Sequence, residues 1–268
     1  MTRSISGMTS STSPRSSSSR PEALAGPAQS PAGPAHALPV VAPDMVARRL
    51  DGVRARVVAA GGDVDQVRVL AVTKGFGLDA VSAAVALGLD VGENYAQELL
   101  GKAGGATDHP APDGPSQPGA PRWHFLGALQ RRKVRDLAAV VSQWDSVCRT
   151  AEGREIARHR PGARVLVQVD TTGIPGRNGC PVAEVAGIVA DLRRLDLDVA
   201  GLMAVAPRDP EGARSCFRSV RQLADHLELE ERSIGMSDDL ELAVVEGSTT
   251  LRLGRALFGD RVGPGGTP

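Results

Sequence analysis

The chain has 268 residues, 41% of them hydrophobic, enough for one large core or two small ones. Its 31 basic and 31 acidic residues cancel and aromatic residues make up only 3%, so neither a global field nor stacking surfaces favour nucleic acid or an anionic membrane. Three scattered cysteines (Cys148, Cys180 and Cys216) suit neither a disulfide framework nor a zinc site, and no run approaches the roughly 18 apolar residues of a membrane span, so a soluble cytoplasmic protein is expected.

Residues 1–40 are rich in Ser, Pro, Ala and Gly, with Arg3, Arg15 and Arg20 and no acid before Glu22. The composition approaches that of a transit peptide but lacks an amphipathic period. A disordered tail, or a start assigned too early with Met45 nearby, is the expectation. From there short apolar runs alternate with helical patterns. The runs are 67–74, 89–94, 122–127, 141–147, 163–170, 198–205, 232–236 and 250–258. Between them, apolar residues recur at helical spacing, as in Val81, Ala84 and Val85 before the stop signal Gly88, or Val182, Val185, Ala186 and Val189. Ser237 followed by Asp238 and Asp239 predicts a helix N-cap, with Gly247 beyond the last turn. Cys180 and Cys216 are expected to pack in or at the caps of helices. A low-complexity patch at 104–121 predicts an exposed loop, and 263–268 a short disordered tail.

Eight strands alternating with helices predict an α/β protein with a parallel sheet, closed as a (β/α)8 TIM-type barrel over residues 41–262. An open doubly wound sheet is the alternative, but no Gly-x-Gly-x-x-Gly turn follows the first strand. In a barrel the C-terminal strand ends line the active-site mouth, which would place Lys74, Asn94, Asp170, Met203 and Met236 there.

Only three of the 31 basic residues are lysines: Lys74, Lys102 and Lys133. Lys74 closes the first apolar run, where desolvation favours the neutral amine that attacks an aldehyde; a lysine snorkelling into water is the plainer reading. Segments 233–237 and 247–254 place small and hydroxyl residues, together with Arg252 and Gly254, in the loops after strands seven and eight, a frequent phosphate site in barrels. A lysine that traps aldehydes beside a phosphate cradle predicts a phosphorylated carbonyl ligand. His124, between Trp123 and Phe125, reads as a core histidine outside the site.

The ordered motifs Ala71-Val-Thr-Lys74, Gly92-Glu-Asn-Tyr-Ala-Gln-Glu98, Trp123-His-Phe-Leu-Gly-Ala-Leu-Gln130, Gly201-Leu-Met203, Gly235-Met-Ser-Asp-Asp239 and Gly247-Ser-Thr-Thr-Leu-Arg-Leu-Gly-Arg-Ala-Leu-Phe-Gly259 resemble those of the pyridoxal phosphate homeostasis proteins, the YggS/PROSC family. The resemblance covers about residues 41–262 and implies a barrel like the N-terminal domain of alanine racemase. It also implies that Lys74 holds pyridoxal 5′-phosphate (PLP) as an aldimine, with Asn94 beside the ring and Arg252 at the pyridine nitrogen. Ser233 and the backbone of Gly254 and Arg255 would hold the phosphate. An arginine at that nitrogen keeps it unprotonated and weakens the electron sink. Ala128, Arg132, Ile234 and Arg255 depart from the family pattern, the last where a small hydroxyl residue is usual.

The expected function is therefore reversible PLP binding in intracellular PLP homeostasis, with apo PLP enzymes as recipients and no turnover. Racemases on this barrel use a tyrosine from an additional domain as second base. Here the barrel would finish near Phe258, and the sole tyrosine, Tyr95, follows Asn94. A PLP-dependent racemase of one domain is the main alternative, and an aldolase acting on a phosphorylated sugar the other. No exposed apolar stripe demands a dimer, so a monomer is expected.

Overall fold

The computed structural model describes residues 41–105 and 119–260. The expectations for 1–40, for most of the 104–121 patch and for 263–268 lie outside the described residues. The first described element is α1 (Pro43–Ala59), which contains Met45 and buries Val46, Leu50, Val53 and Val57, a helical stripe. Then follow β1 (Arg68–Val72), α2 (Leu78–Ala86), β2 (Asp90–Glu93), α3 (Ala96–Gly105), β3 (Trp123–Phe125), α4 (Arg131–Leu137), β4 (Val141–Val147), α5 (Thr150–His159) and β5 (Arg164–Asp170). A two-residue strand β6 (Cys180–Pro181) precedes α6 (Val185–Arg194), β7 (Asp198–Ala204), α7 (Pro210–His226), β8 (Glu231–Ser233), α8 (Leu240–Val245), β9 (Thr250–Leu253) and α9 (Arg255–Phe258).

All strand pairings are parallel, in the order β4-β3-β2-β1-β9-β8-β7-β5, and β4 pairs with β5 to close the ring. The eight expected strands make the barrel; β6 adds a short ninth strand against β5. Because β6 carries Cys180, that thiol packs in a strand, whereas Cys216 is buried on α7 as expected of a helix. The run 250–258 divides: the strand stops at Leu253 and α9 takes the rest. α3 also extends to Gly105, into the patch expected to be loop.

The main apolar core lies between strands and helices and includes Trp123, Trp144, Ile156, Phe217 and Leu257. Inside the barrel the N-terminal end is polar. Glu231 of β8 accepts from Gln143 Nε2 at 3.0 Å, from Arg164 at 2.8 Å and from Arg68, so three other strands converge on one carboxylate. Burial pushes the Glu231 carboxyl up, but Arg164 and Arg68 outweigh it and hold the group below its ordinary range.

His124 of β3 is buried, with Nδ1 3.3 Å from Asp145 and Nε2 3.4 Å from Asp90. Burial alone would lower its pKa, but the two carboxylates raise it from 6.5 to about 9. The folded value thus exceeds the unfolded one, so the stabilisation is complete below pH 6.5 and lost as pH rises through about 9. Thermal melting from pH 6 to 10 is expected to show Tm falling across this window, and the fall should flatten in His124→Gln.

Candidate cofactor-binding site

β1 ends at Val72, so Lys74 stands in the turn just beyond the strand, half-buried. Gly75 follows with φ of +76°, a backbone conformation that favours glycine. The turn is tied from beneath. Thr73 Oγ1 donates to Glu93 Oε1 at 2.6 Å, and the backbone N–H of Gly75 donates to Glu98 Oε1 at 2.6 Å. Asn94 follows the last residue of β2. Gly127 lies so close to it that a Cβ there would stand 1.8 Å from the Asn94 carbonyl oxygen. Gly127→Ala is expected to displace Asn94, to cost about 2 kcal/mol or more of stability in denaturant titration, and to weaken ligand binding.

On the neighbouring strand β9, in register with Leu70 of β1, Arg252 is only 6% exposed. Its Nη2 donates to the Ala204 carbonyl at 2.7 Å, and its Nη1 to the Ser233 hydroxyl at 3.0 Å and to the Ser233 carbonyl. These acceptors are neutral, so burial lowers the guanidinium's affinity for its proton without an ion pair in contact. Arg252 nevertheless remains charged, because an arginine does not deprotonate in proteins. It is a fixed cation facing the barrel mouth.

Between β8 and α8 the chain turns sharply. Gly235 has φ of +95°, and a Cβ there would meet Ala243 Cβ at 2.4 Å. Asp239 Oδ1 accepts from the Met236 N–H at 2.5 Å, while Ser237 Oγ accepts from the Ala256 N–H at 3.1 Å and joins this turn to the start of α9. Asp239, rather than Ser237, is the N-cap residue of α8. Gly254 packs against β1, where a Cβ would lie 3.1 Å from the Val72 carbonyl oxygen. Phe76 and Phe258, with ring centroids 5.2 Å apart, brace the Lys74 loop against α9.

These segments enclose a cavity of about 1190 Å³ lined by Lys74, Asn94, Gln168, Arg177, Met203, Met236, Ser237, Arg252, Gly254 and Arg255, among others. Such a volume is ample for a small phosphorylated molecule.

Residues 49–262 match the family described as alanine racemase, N-terminal domain. Over 226 residues, 81% of this chain and 94% of the relative, the sequence is 35% identical to the pyridoxal phosphate homeostasis protein of Pseudomonas aeruginosa. The chain belongs to the pyridoxal phosphate homeostasis (YggS/PROSC) family. The Escherichia coli K12 member is 33% identical, over 81% of this chain and 97% of its own. Among solved structures, PipY of Synechococcus elongatus, with PLP bound, is similar with a TM-score of 0.68 and 29% identity over 80% of this chain and 100% of PipY. Lysine decarboxylase of Selenomonas ruminantium, at 14% identity and TM-score 0.62, shares the fold.

In this member of the homeostasis family the structure brings Lys74, Asn94, Arg252, Gly254 and Arg255 to one cavity. Ser233 is fully buried outside the lining, and its hydroxyl accepts from Arg252. Ser237, read from sequence as a cap, lines the cavity instead. The Arg255 guanidinium pairs with Asp238 on the rim. Asp170, expected at the mouth, turns its carboxylate onto the Thr172 N–H and hydroxyl at 2.9 and 2.7 Å. Arg177 was not anticipated; it lies in the loop after β5, where apolar periodicity carries no signal, and donates to the Val205 carbonyl at 3.1 Å.

Proposed function

We propose that the protein holds PLP reversibly on Lys74 and takes part in intracellular PLP homeostasis. The observation that carries this reading is the convergence on one cavity of a strand-end lysine and a buried arginine with only neutral contacts. The residues present fit the group. Bound PLP would supply an aldehyde that condenses with an amine and releases water. Lys74 would provide that amine, Asn94 would lie beside the ring, and Arg252 would face the pyridine nitrogen without giving it a proton. The Ser237 hydroxyl and the backbone of Gly254 and Arg255 would hold the phosphate, with Ser233 orienting Arg252 from behind.

A binding role without turnover has support from the family assignment and from the site. Tyr95 is 61% exposed and does not line the cavity, so the chain's sole tyrosine is not placed as a second base opposite Lys74. Transfer to apo PLP enzymes, a monomeric state and a cytoplasmic setting extend the same proposal; three free, buried thiols accord with a reducing compartment. No helix among the described residues is long and apolar enough to cross a membrane.

The test is to incubate purified protein with PLP, record the visible absorption band, reduce with borohydride and map the label by mass spectrometry. The label is expected at Lys74. Labelling at Lys102 or Lys133 instead, or none at saturating PLP, overturns the reading. Rapid racemisation of common amino acids by the same preparation would replace homeostasis with the enzymatic alternative.

A further inference from the structure

Beneath the Lys74 turn lies an ion cluster that the proposed function leaves unused. Lys102 of α3 is 7% exposed, although lysines are seldom buried unless paired. Its ammonium donates to the Thr73 carbonyl at 2.8 Å, to Glu93 Oε1 at 2.5 Å and to Glu98 Oε1 at 2.8 Å. Three acceptors saturate its three donors. The same two carboxylate oxygens also receive the Thr73 hydroxyl and the Gly75 N–H. The residues on both sides of Lys74 are therefore held by one cluster, while Lys74 itself faces the cavity.

A buried ion cluster is a poor device for stability alone, because the desolvation of each charge offsets much of the attraction. Glu93 is fully buried with Oε2 unpartnered, so this cluster retains an uncompensated cost. What it does achieve is geometric: the Thr73 hydroxyl and carbonyl and the Gly75 N–H are fixed to α3 and the end of β2. It also places charged groups on the residues immediately before and after Lys74.

We propose that Lys102, Glu93 and Glu98 form a positioning cluster that fixes the Lys74 turn in its reactive geometry and biases the protonation of the Lys74 amine. This rests on the assignment of Lys74 as the attachment point. The other charged groups lining the cavity are Arg177, Arg208, Arg252 and Arg255, with Asp238, Asp239, Glu241 and Asp260; all stay constant in the comparisons below.

Glu98 is the informative residue because it is partly exposed and replaceable without opening the core. Glu98→Gln keeps an oxygen able to accept from Gly75 and Lys102 but removes a charge, whereas Glu98→Ala removes both. The first readout uses the full chain without cofactor. Acylation of Lys74 by a small reagent, followed across pH by mass spectrometry, gives the apparent pKa of its amine. Both variants are expected to lower it by about half a unit relative to wild type. The second readout is the PLP dissociation constant. It is expected to be little changed in Glu98→Gln and to rise about 10-fold in Glu98→Ala, the loss of one charge-assisted hydrogen bond to the turn.

Lys102→Met is expected to weaken PLP binding at least as much as Glu98→Ala. Equal pH profiles and equal affinities across wild type, Glu98→Gln and Glu98→Ala would overturn the positioning role even if Lys102→Met fails to fold. If wild type takes no label at Lys74 in the borohydride experiment, it is the attachment assignment that fails, and the acylation profile still reports on the cluster.

Discussion

Lys74→Ala is expected to abolish the visible PLP band and all borohydride-dependent label while leaving the fold intact. Lys74 is half-buried and outside regular structure, and the bonds that shape its turn come from Thr73 and Gly75. Removal of the side chain therefore deletes the amine without deleting the turn. Circular dichroism should be unchanged and Tm should move by no more than a few degrees, since substitutions away from core and caps typically fall within about 0.5 kcal/mol. Residual PLP affinity through Arg252 and the phosphate-side groups is expected in equilibrium dialysis, weaker by at least about 100-fold because the covalent link is gone. Persistence of a reducible adduct in the variant would move the attachment point to one of the two remaining lysines, Lys102 or Lys133.

Arg252→Met should produce a different pattern, in which stability and binding fall together. The wild-type guanidinium satisfies the Ser233 carbonyl and hydroxyl and the Ala204 carbonyl, all at buried strand ends. Methionine fills similar space but donates nothing, and each stranded acceptor costs about 1–3 kcal/mol. Relief of the buried charge offsets part of this loss. The net expectation is a destabilisation of about 2 kcal/mol in urea titration, with PLP affinity reduced at least about 10-fold. Arg252→Lys should recover the charge but not the hydrogen bonds, because an ammonium cannot span the same acceptors as a planar fork. Unchanged stability in Arg252→Met would show that the three oxygens find other donors.

The barrel was legible in the sequence because strand and helix periods alternate cleanly. β4, for example, spans Val141–Val147, the same residues as its apolar run. The exceptions have separate physical causes. Run 250–258 stays apolar through Leu257 and Phe258, so hydropathy does not mark the point where Gly254 turns a strand into a helix. Ser233 and Ser237 carry the same chemistry four residues apart, and only the backbone reversal at Gly235 decides which of them reaches the cavity. Asp170 lies at a strand end, as expected, but a local hydrogen bond to Thr172 outcompetes the mouth for its carboxylate. The ion cluster around Lys102 was invisible in another way: Glu98 and Lys102 are an ordinary i,i+4 helix pair in sequence, and only the fold brings Thr73 and Glu93 to them.

The convergence of Arg68, Gln143 and Arg164 on Glu231 has a consequence for traffic. Among the described residues it ties strands together at the N-terminal end of the ring, the end away from the cavity at Lys74. Crowding the exposed Val205, Met236 and Arg208 beside this cavity with a bulky substituent is expected to slow PLP loading and unloading alike.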